Sequence, residues 1–314
     1  MSKLIDQHGR HIHKLRLSVL DRCNFRCFYC MPENQQFLPS EKLMSKEQIF
    51  NISSILVDQH EIDEIRITGG EPCLRPDLID IMLELSKLDI KKLGLTTNGM
   101  FLKKDLPLLA KTKCKYLNVS LDSLNQKGFK KLAGRDGLQQ VLESIFMAKE
   151  LGFVVKINTV LMKGINDQEI NDFVNFSLEN DIELRFLELM KIGVGQKYFD
   201  TCFMSADTTQ KIIETKYSLE KVNVPLDSTC YKFKVNGKSD IGFIASESKP
   251  FCSGCSRLRL SAMGEIRPCL MLNSGISLLE KNEEEVEQIL LSTISQKPID
   301  RIENVTQNMN QIGG

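Results

Sequence analysis

The chain has 314 residues, and its 41 acidic residues balance its 41 basic residues to give no formal net charge. This length can bury one large core with an appendage, and the balanced charge gives no net field that would attract nucleic acid. The N-terminus has no apolar signal segment, and no run of about eighteen apolar residues follows, which predicts a cytoplasmic protein without membrane spans. Ten cysteines in such a chain indicate metal or redox chemistry.

The first predicted strand, 15–20, leads into three closely spaced cysteines, Cys23, Cys27 and Cys30. Three thiolates on one loop can hold three irons of a 4Fe–4S cube and leave the fourth iron open, much as a catalytic zinc keeps a vacant position. A zinc knuckle or a disulfide pair is the alternative, although all four histidines lie outside the motif. By themselves, the cysteines leave the choice between cluster and zinc open.

Strand and helix signals alternate as far as about residue 190. The predicted strands are mostly apolar, as parallel strands covered by helices should be, and comprise 15–20, 64–68, 93–97, 116–121, 154–161 and 182–189. Among the intervening helices, one begins at a capping box formed by Ser45 and Gln48. Six right-handed βα units predict an α/β fold, an incomplete (β/α)6 TIM-type barrel with its active site at the carboxyl ends of the strands.

The pattern changes after about residue 205. A helix near 207–216, β segments around 231–245 and 257–270, and a charged helix near 277–296 predict a C-terminal β/α extension that covers the barrel mouth. We therefore divide the chain into a partial barrel, 1–204, which carries the first cysteine motif, and an extension, 205–314, which carries a second one.

The second motif consists of Cys252, Cys255 and Cys269, again without a histidine to complete a zinc site. A structural zinc could still recruit Cys230 as its fourth ligand. The remaining cysteines are expected to be small buried hydrophobic side chains, namely Cys73, Cys114 and Cys202.

Polar side chains recur on one face of the predicted strands. Alternation places Arg16 with Ser18, Arg66 with Thr68, Thr96 with Asn98, Asn118 with Ser120, and Lys156 with Asn158. Charges inside a covered sheet are costly unless they are paired, so a cationic interior needs an anionic occupant. A polyphosphate would suit the combined charge of Arg16, Arg66, Lys156, Arg185, Arg257 and Arg259.

The first motif and the strand that ends in Gly69-Gly70-Glu71-Pro72 together resemble the radical S-adenosylmethionine (SAM) enzymes. In that superfamily the open iron is chelated by the amino and carboxylate groups of SAM, and the glycine-rich strand end lies along its methionyl moiety. The resemblance implies a 4Fe–4S cluster and SAM as cofactors of this chain.

The second motif, the segment from Phe251 to Leu260 and the terminal Gly313-Gly314 extend the resemblance over essentially the whole chain. The chain is similar to the GTP 3′,8-cyclases of molybdenum-cofactor biosynthesis, which carry two 4Fe–4S clusters. The resemblance implies that the first cluster cleaves SAM to a radical that removes hydrogen from the ribose 3′ carbon of GTP, which then bonds to C8. It further implies an external electron donor and a downstream cyclic pyranopterin monophosphate synthase, and leaves a homodimer open.

Roles follow from this resemblance position by position. It implies that Cys23, Cys27 and Cys30 bind the first cluster and that Cys252, Cys255 and Cys269 bind the second. It implies SAM contacts at Tyr29, Gly70, Ser120 and Met190, and GTP contacts at Arg16, Arg66, Thr96, Lys156, Arg257 and Arg259. Arg257 and Arg259 are also expected to act in catalysis, together with the tail residues Gly313 and Gly314, which in the family reach into the active site.

Three positions depart from the family pattern, namely Glu64, Lys191 and Met263. Two other functions are alternatives to the cyclase. One is a different radical SAM enzyme with an auxiliary cluster, such as a peptide maturase, and the other is a non-catalytic zinc or iron–sulfur scaffold. A maturase usually has more auxiliary cysteines and no need for six convergent cations.

Overall fold

The computed structural model describes residues 3–303 and 305–313. Its first six strands are β1 (Lys14–Ser18), β2 (Glu64–Thr68), β3 (Lys92–Thr97), β4 (Cys114–Ser120), β5 (Val154–Leu161) and β6 (Glu183–Glu188). They pair in parallel with their neighbours in chain order. The predicted βα arrangement is therefore confirmed, and the strand bounds agree closely with the sequence pattern.

Helices cover the outer face of these strands. They are α1 (Lys46–His60), α2 (Leu78–Leu85), α3 (Leu102–Leu109), α4 (Gln126–Ala133), α5 (Leu138–Glu150) and α6 (Ile170–Asn180). The predicted capping box begins α1, since Ser45 Oγ accepts from the Gln48 N–H at 3.2 Å and Gln48 Oε1 accepts from the Ser45 N–H at 2.8 Å. The buried stripe of α1 includes Ile49, Ile52 and Leu56, which pack against the sheet.

The second half of the chain contributes α7 (Gln196–Cys202), α8 (Ala206–Glu214), β7 (Leu219–Val222), β8 (Tyr231–Val235), β9 (Ser239–Ile244), β10 (Arg257–Leu260), β11 (Glu265–Arg267), β12 (Ile276–Ser277), α9 (Glu283–Ser295) and α10 (Met309–Ile312). The sequence pattern did not predict α7, β7, β12 or α10. It also began the last long helix too early, because Asn282 is the residue that caps α9 by accepting from the Glu285 N–H at 2.9 Å.

The extension lengthens the barrel sheet at both edges. Across the described residues one sheet has the strand order β12-β11-β10-β1-β2-β3-β4-β5-β6-β9-β8-β7. Two of its strands continue the parallel barrel, since β10 pairs with β1 and β9 pairs with β6. The outer strands β12 and β7 leave the sheet open, so the barrel is incomplete, as predicted. Because strands from both sides of residue 204 share this sheet, the division of the chain at that residue stays a prediction.

The strands present alternating faces to the interior and to the helices. In β1, for example, Leu15 and Leu17 are buried beneath the helices, whereas Arg16 faces the interior. Two of the cysteines predicted to be buried, Cys73 and Cys114, are 3% and 0% exposed, but Cys202 is only half-buried on α7. Over the described residues, no helix combines the length and apolarity needed to cross a membrane.

Candidate active site

A cavity of about 340 Å³ lies at the carboxyl ends of the barrel strands. We call it the central cavity. Both predicted cysteine motifs line it, the first on the loop after β1 and the second on the segments before β10 and after β11. The two triads, separated by more than half of the chain, therefore face one shared space. They comprise Cys23, Cys27 and Cys30, and Cys252, Cys255 and Cys269.

The glycine pair after β2 packs against the loop that carries the first triad. The Gly70 N–H donates to the Leu20 carbonyl at 2.8 Å. A Cβ atom at Gly70 would lie only 2.4 Å from the carbonyl oxygens of Asp21 and Arg22, and one at Gly69 would lie 2.4 Å from that of Leu20. Side chains at either glycine would thus push this loop away, while Gly70 itself still lines the cavity.

Glu71 links the end of β2 to the end of β3. Its buried carboxylate accepts from the Thr97 hydroxyl at 2.7 Å, from the Asn98 N–H at 2.6 Å and from the Cys73 N–H at 2.9 Å. Burial raises the pKa of Glu71, and these hydrogen bonds offset part of that rise. The Asn98 side chain in turn lies 3.7 Å from Cys23 Sγ. Sequence reasoning assigned Glu71 no role, although an acid at the end of an apolar strand was a visible signal.

The first triad is half-buried and lines the central cavity. Burial raises the pKa of Cys23 to about 11 and that of Cys30 to about 12, and raises the pKa of Cys27 strongly. Backbone N–H groups nevertheless point at the sulfurs, with Phe25 donating to Cys23 at 3.4 Å and Asn310 donating to Cys30. Metal coordination removes thiol protons outright, so three clustered thiols with N–H donors suit a bound cluster.

Tyr29 links the first cysteine loop to the segment after β4. Its hydroxyl donates to the Asp122 carboxylate, which also accepts from the Val160 N–H at 2.8 Å. Burial raises the pKa of Asp122 to about 6 and also raises the pKa of Tyr29. Asp122 was missed by sequence reasoning. The four residues expected to contact SAM, Tyr29, Gly70, Ser120 and Met190, all line the central cavity.

The second triad differs electrostatically from the first. Burial by itself would raise the pKa of Cys255, but the charges of Arg257 and Lys297 lower it to about 6. Arg257 Nη2 lies 3.5 Å from Cys255 Sγ, and Lys297 Nζ lies 3.3 Å from it. Lys297 was not predicted from the sequence, because it lies in a polar stretch far along the chain.

Cys230 does not join the second triad. It lies outside the central cavity, its Sγ donates to the Tyr231 carbonyl at 3.4 Å, and it packs against Gly242 on β9. The four-cysteine zinc alternative is therefore wrong in its choice of fourth ligand. Within 3–303 and 305–313, no three His, Cys, Asp or Glu side chains converge as they would around a single metal ion. The thiolates of a four-iron cube each bind a different iron and so lie farther apart.

Four of the six residues expected to contact GTP line the central cavity, namely Arg16, Thr96, Arg257 and Arg259. The other two, Arg66 and Lys156, are not among its lining residues. Burial, and then the like charges of Arg66 and Arg257, lower the pKa of Arg16 well below its usual value. Such a crowded group of guanidinium ions favours an anionic ligand.

Buried polar atoms without a hydrogen-bond partner lie on the barrel strands β2 to β5. In the described part of the chain, four buried atoms on β2 to β5 lack a hydrogen-bond partner, namely Arg66 Nη1, Thr96 Oγ1, Asn118 Oδ1 and Asn158 Oδ1. Buried polar atoms are almost always paired, so this row is expected to bind a polar ligand.

Among the described ion pairs, two of the six predicted interior cations have a carboxylate partner. Glu183 binds Lys156 at 2.9 Å and Arg185 at 2.6 Å, and it also accepts from Lys232 at 2.7 Å. Burial opposes ionisation of this carboxyl, but the charges of Arg185 and Lys156 lower the pKa of Glu183 to about 2. Lys156 and Arg185 therefore need no external anion, so fewer cations are available to a polyphosphate than the combined charge of the six predicted. Alternation along β6 places Glu183 on the same face as Arg185, a signal that sequence reasoning missed.

The C-terminal segment enters the barrel. Arg259 Nη1 donates to the carbonyls of Ile312 at 3.1 Å and Gly313 at 2.6 Å. Gly313 has φ +70°, and a Cβ atom there would lie 2.9 Å from Ser18 Cβ at the end of β1. Gly314, the other tail residue expected in the site, lies outside the described residues. Arg259 thus contacts the tail, a contact that the sequence did not predict.

Two family profiles together span most of the chain. The radical SAM superfamily profile matches residues 17–177, and the Molybdenum Cofactor Synthesis C profile matches residues 182–305. The first of these covers the barrel strands β2 to β5 and the first triad, and the second covers the second triad.

Two curated relatives are similar over nearly their full lengths. The GTP 3′,8-cyclase of Synechocystis sp. is 41% identical over 100% of this chain and 96% of its own. That of Clostridium acetobutylicum is 38% identical over 99% of this chain and 100% of its own. Among solved structures, Streptococcus suis SuiB bound to its precursor peptide SuiA superposes with a TM-score of 0.67 at 17% identity, over 92% of this chain and 68% of that chain. The SuiB likeness shows a shared fold.

Proposed function

Because the chain belongs to the GTP 3′,8-cyclase family within the radical SAM superfamily, we propose that it converts GTP to 3′,8-cyclo-7,8-dihydro-GTP in molybdenum-cofactor biosynthesis. The observation that carries the proposal is that two cysteine triads from opposite ends of the chain line one cavity. A reaction that joins two atoms of one nucleotide needs radical generation and substrate binding in a single enclosed space.

We assign the first cluster to Cys23, Cys27 and Cys30. We assign SAM to the part of the cavity lined by Tyr29, Gly70, Ser120 and Met190. A 4Fe–4S cluster with SAM on its open iron supplies the one-electron cleavage that starts radical chemistry. The chain shapes this site by the close packing of Gly70 on the cysteine loop and by the hydrogen bond from Tyr29 to Asp122. These contacts hold the cysteine loop in place.

We assign a second cluster to Cys252, Cys255 and Cys269, and the nucleotide to the space between the two triads. Arg16 and Arg257 line that space without a carboxylate partner among the described ion pairs. Guanidinium groups bind phosphate oxygens in a planar, two-pronged geometry, so both suit the triphosphate. The unpaired Thr96 hydroxyl and Asn158 carboxamide offer further polar contacts on the same wall.

Arg257→Ala should weaken GTP binding. Loss of one charge-assisted contact costs about 1.5–3 kcal/mol, or about 10- to 150-fold in affinity. Arg257→Lys should recover only part of this loss, since an ammonium cannot form the planar fork. Equilibrium binding of GTP and of SAM to anaerobic, iron-replete protein measures both effects.

SAM affinity should stay unchanged in both variants, because its assigned contacts follow β1, β2 and β6 or end β4, whereas Arg257 lies on β10. Lys238→Ala is the control, since it removes a positive charge from an exposed side chain outside the cavity. GTP affinity equal to that of the unsubstituted protein in Arg257→Ala would refute the assignment of Arg257.

Product identification tests the proposed function itself. The anaerobic protein is incubated with GTP, SAM and a chemical reductant, and the products are analysed by mass spectrometry. The cyclase proposal expects 5′-deoxyadenosine and a cyclised nucleotide isomeric with GTP, from protein that holds about eight irons per chain. Zinc in place of iron, or SAM cleavage that does not depend on GTP and yields no cyclised nucleotide, would count against it.

The reaction also needs other proteins. We propose that an external electron donor reduces the first cluster and that a downstream cyclic pyranopterin monophosphate synthase consumes the product in the cytoplasm. A coupled assay in which that synthase is added to the reaction checks the second point, because the cyclised nucleotide should then disappear.

A further inference from the structure

Lys297 is a fully buried lysine beside the second triad. It follows α9, and its side chain is only 1% exposed. The ammonium donates to the Arg257 carbonyl at 2.7 Å, to the Pro268 carbonyl at 2.8 Å and to Cys255 Sγ at 3.3 Å. An ammonium has three protons, so these contacts use its full donor capacity.

These contacts join the two chain segments that supply the triad. Arg257 follows Cys255 on the β10 side, and Pro268 directly precedes Cys269 on the far side of β11. A single side chain therefore holds both segments at a fixed separation. Without the ammonium, two carbonyl oxygens in a buried site would lose their donor, which is costly.

The charge of Lys297 also requires an anion. A buried ammonium is strongly unfavourable unless a negative group compensates it. Among the described residues, the anionic groups that act most strongly on Lys297 are the sulfurs of Cys255 and Cys269. Its counter-charge is therefore the triad itself, and not a carboxylate as for Lys156.

The backbone at Lys297 is anchored from a distant part of the chain. Arg10 donates to the carbonyls of Lys297 at 3.1 Å, Pro298 at 2.8 Å and Cys252 at 2.5 Å. Asp6 holds that guanidinium through Nε at 2.6 Å. The same arginine thus fixes both a triad loop and the lysine, so the ammonium cannot easily move away from the sulfurs.

We propose that Lys297 is a positioning residue for the second cluster, which holds the Cys255 and Cys269 segments together and electrostatically stabilises the cluster's reduced form. This inference rests on the proposed function, because it assumes a cluster on the second triad. A four-iron cube with three thiolates carries net negative charge that increases on one-electron reduction, so a fixed cation nearby favours the reduced state.

The test isolates the second cluster in the full chain. Cys23, Cys27 and Cys30 are all replaced with alanine, and Lys297→Met, Lys297→Gln and Lys297→Arg are introduced into that background. Iron content and the midpoint potential are measured, the latter by a redox titration followed by electron paramagnetic resonance. Lys281→Met is the matched control, because it removes the same charge from an exposed lysine at the other end of α9.

Lys297→Gln keeps hydrogen-bond donors but loses the charge. In Lys297→Gln and Lys297→Met, the ratio of reduced to oxidised cluster at the midpoint potential of the parent should fall at least tenfold, a shift of about 59 mV to lower potential for a one-electron couple. Lys297→Arg and Lys281→Met should stay near the parent potential. Loss of the cluster from both neutral variants, with retention in Lys297→Arg, would equally support the proposal.

Unchanged potentials and full iron in both neutral variants would overturn it. The protein with all three first-triad cysteines replaced could be insoluble. The titration is therefore repeated with the first triad intact, where each cluster gives its own signal and the same shift must appear in one of the two. If the parent with only the second triad binds no iron, the proposed second cluster itself is wrong. That outcome is distinct from a cluster that binds normally and is indifferent to Lys297.

Discussion

Cys27→Ser should abolish the formation of 5′-deoxyadenosine, whereas Cys255→Ser should lose the cyclised product and keep some uncoupled cleavage of SAM. The two triads lie in one cavity, but only the first lies beside Gly70 and Tyr29 on the wall assigned to SAM. Each serine variant should lose about four of about eight irons. Quantifying iron, 5′-deoxyadenosine and cyclised nucleotide in the same anaerobic samples measures all three effects.

Cys202→Ser provides the control for cysteine replacement. Cys202 is half-buried on α7 and does not line the central cavity, so this variant should keep both clusters and full coupled turnover. Complete turnover by Cys27→Ser or Cys255→Ser would contradict the assignment of that triad to a cluster.

A side chain at Gly313 should remove most cyclase activity and leave both clusters in place. The residue has φ +70°, and an added Cβ would meet Ser18 Cβ at 2.9 Å and Thr68 Cγ2 at 3.3 Å. Gly313→Ala should therefore displace the tail from the ends of β1 and β2, and a displacement of about 1 Å near reacting groups can cost about 100-fold in rate. Deletion of Gly313 and Gly314 should have at least as large an effect. Turnover is measured beside iron content and thermal unfolding.

Gly237→Ala separates backbone strain from position in the site. Gly237 has φ +68°, but nothing lies within 4 Å of an added Cβ, and the residue is in the turn between β8 and β9. Its alanine variant should lose only about 1–2 kcal/mol of folding free energy, from the cost of the left-handed conformation, and keep normal turnover. Normal turnover in both Gly313→Ala and the truncated chain would show that the tail is an ordinary frayed terminus without a role in catalysis.

The contact between Arg259 and the tail changes how that arginine is best tested. Arg259 donates to the Gly313 carbonyl at 2.6 Å, so its replacement would disturb both the tail and any bound nucleotide. Arg257 makes no such tail contact in the described residues and lies over the Phe251 ring at 5.1 Å. Arg257 is therefore the clearer probe of GTP binding, and Arg259 is expected to respond like the Gly313 variants.

The sequence by itself determined the features that depend on short-range patterns. Apolar strand segments and capped amphipathic helices predicted the six βα units, because periodicity and capping are properties of neighbouring residues. The first triad follows β1 so closely that its position at the strand's carboxyl end was already implied. Strand alternation likewise predicted that Arg16 and Thr96 would face the interior, where both line the cavity.

The tertiary structure alone decided which distant groups meet. Nothing local indicates that β9 and β10 extend the barrel, that Glu183 on β6 reaches Lys156 on β5, or that Arg259 holds the tail. Lys297 looks like any polar residue after a helix until its ammonium is seen between two segments of the second triad. These pairings depend on sheet register and chain crossing, which place residues far apart in sequence at contact distance, and such contacts leave no periodic signal in the sequence.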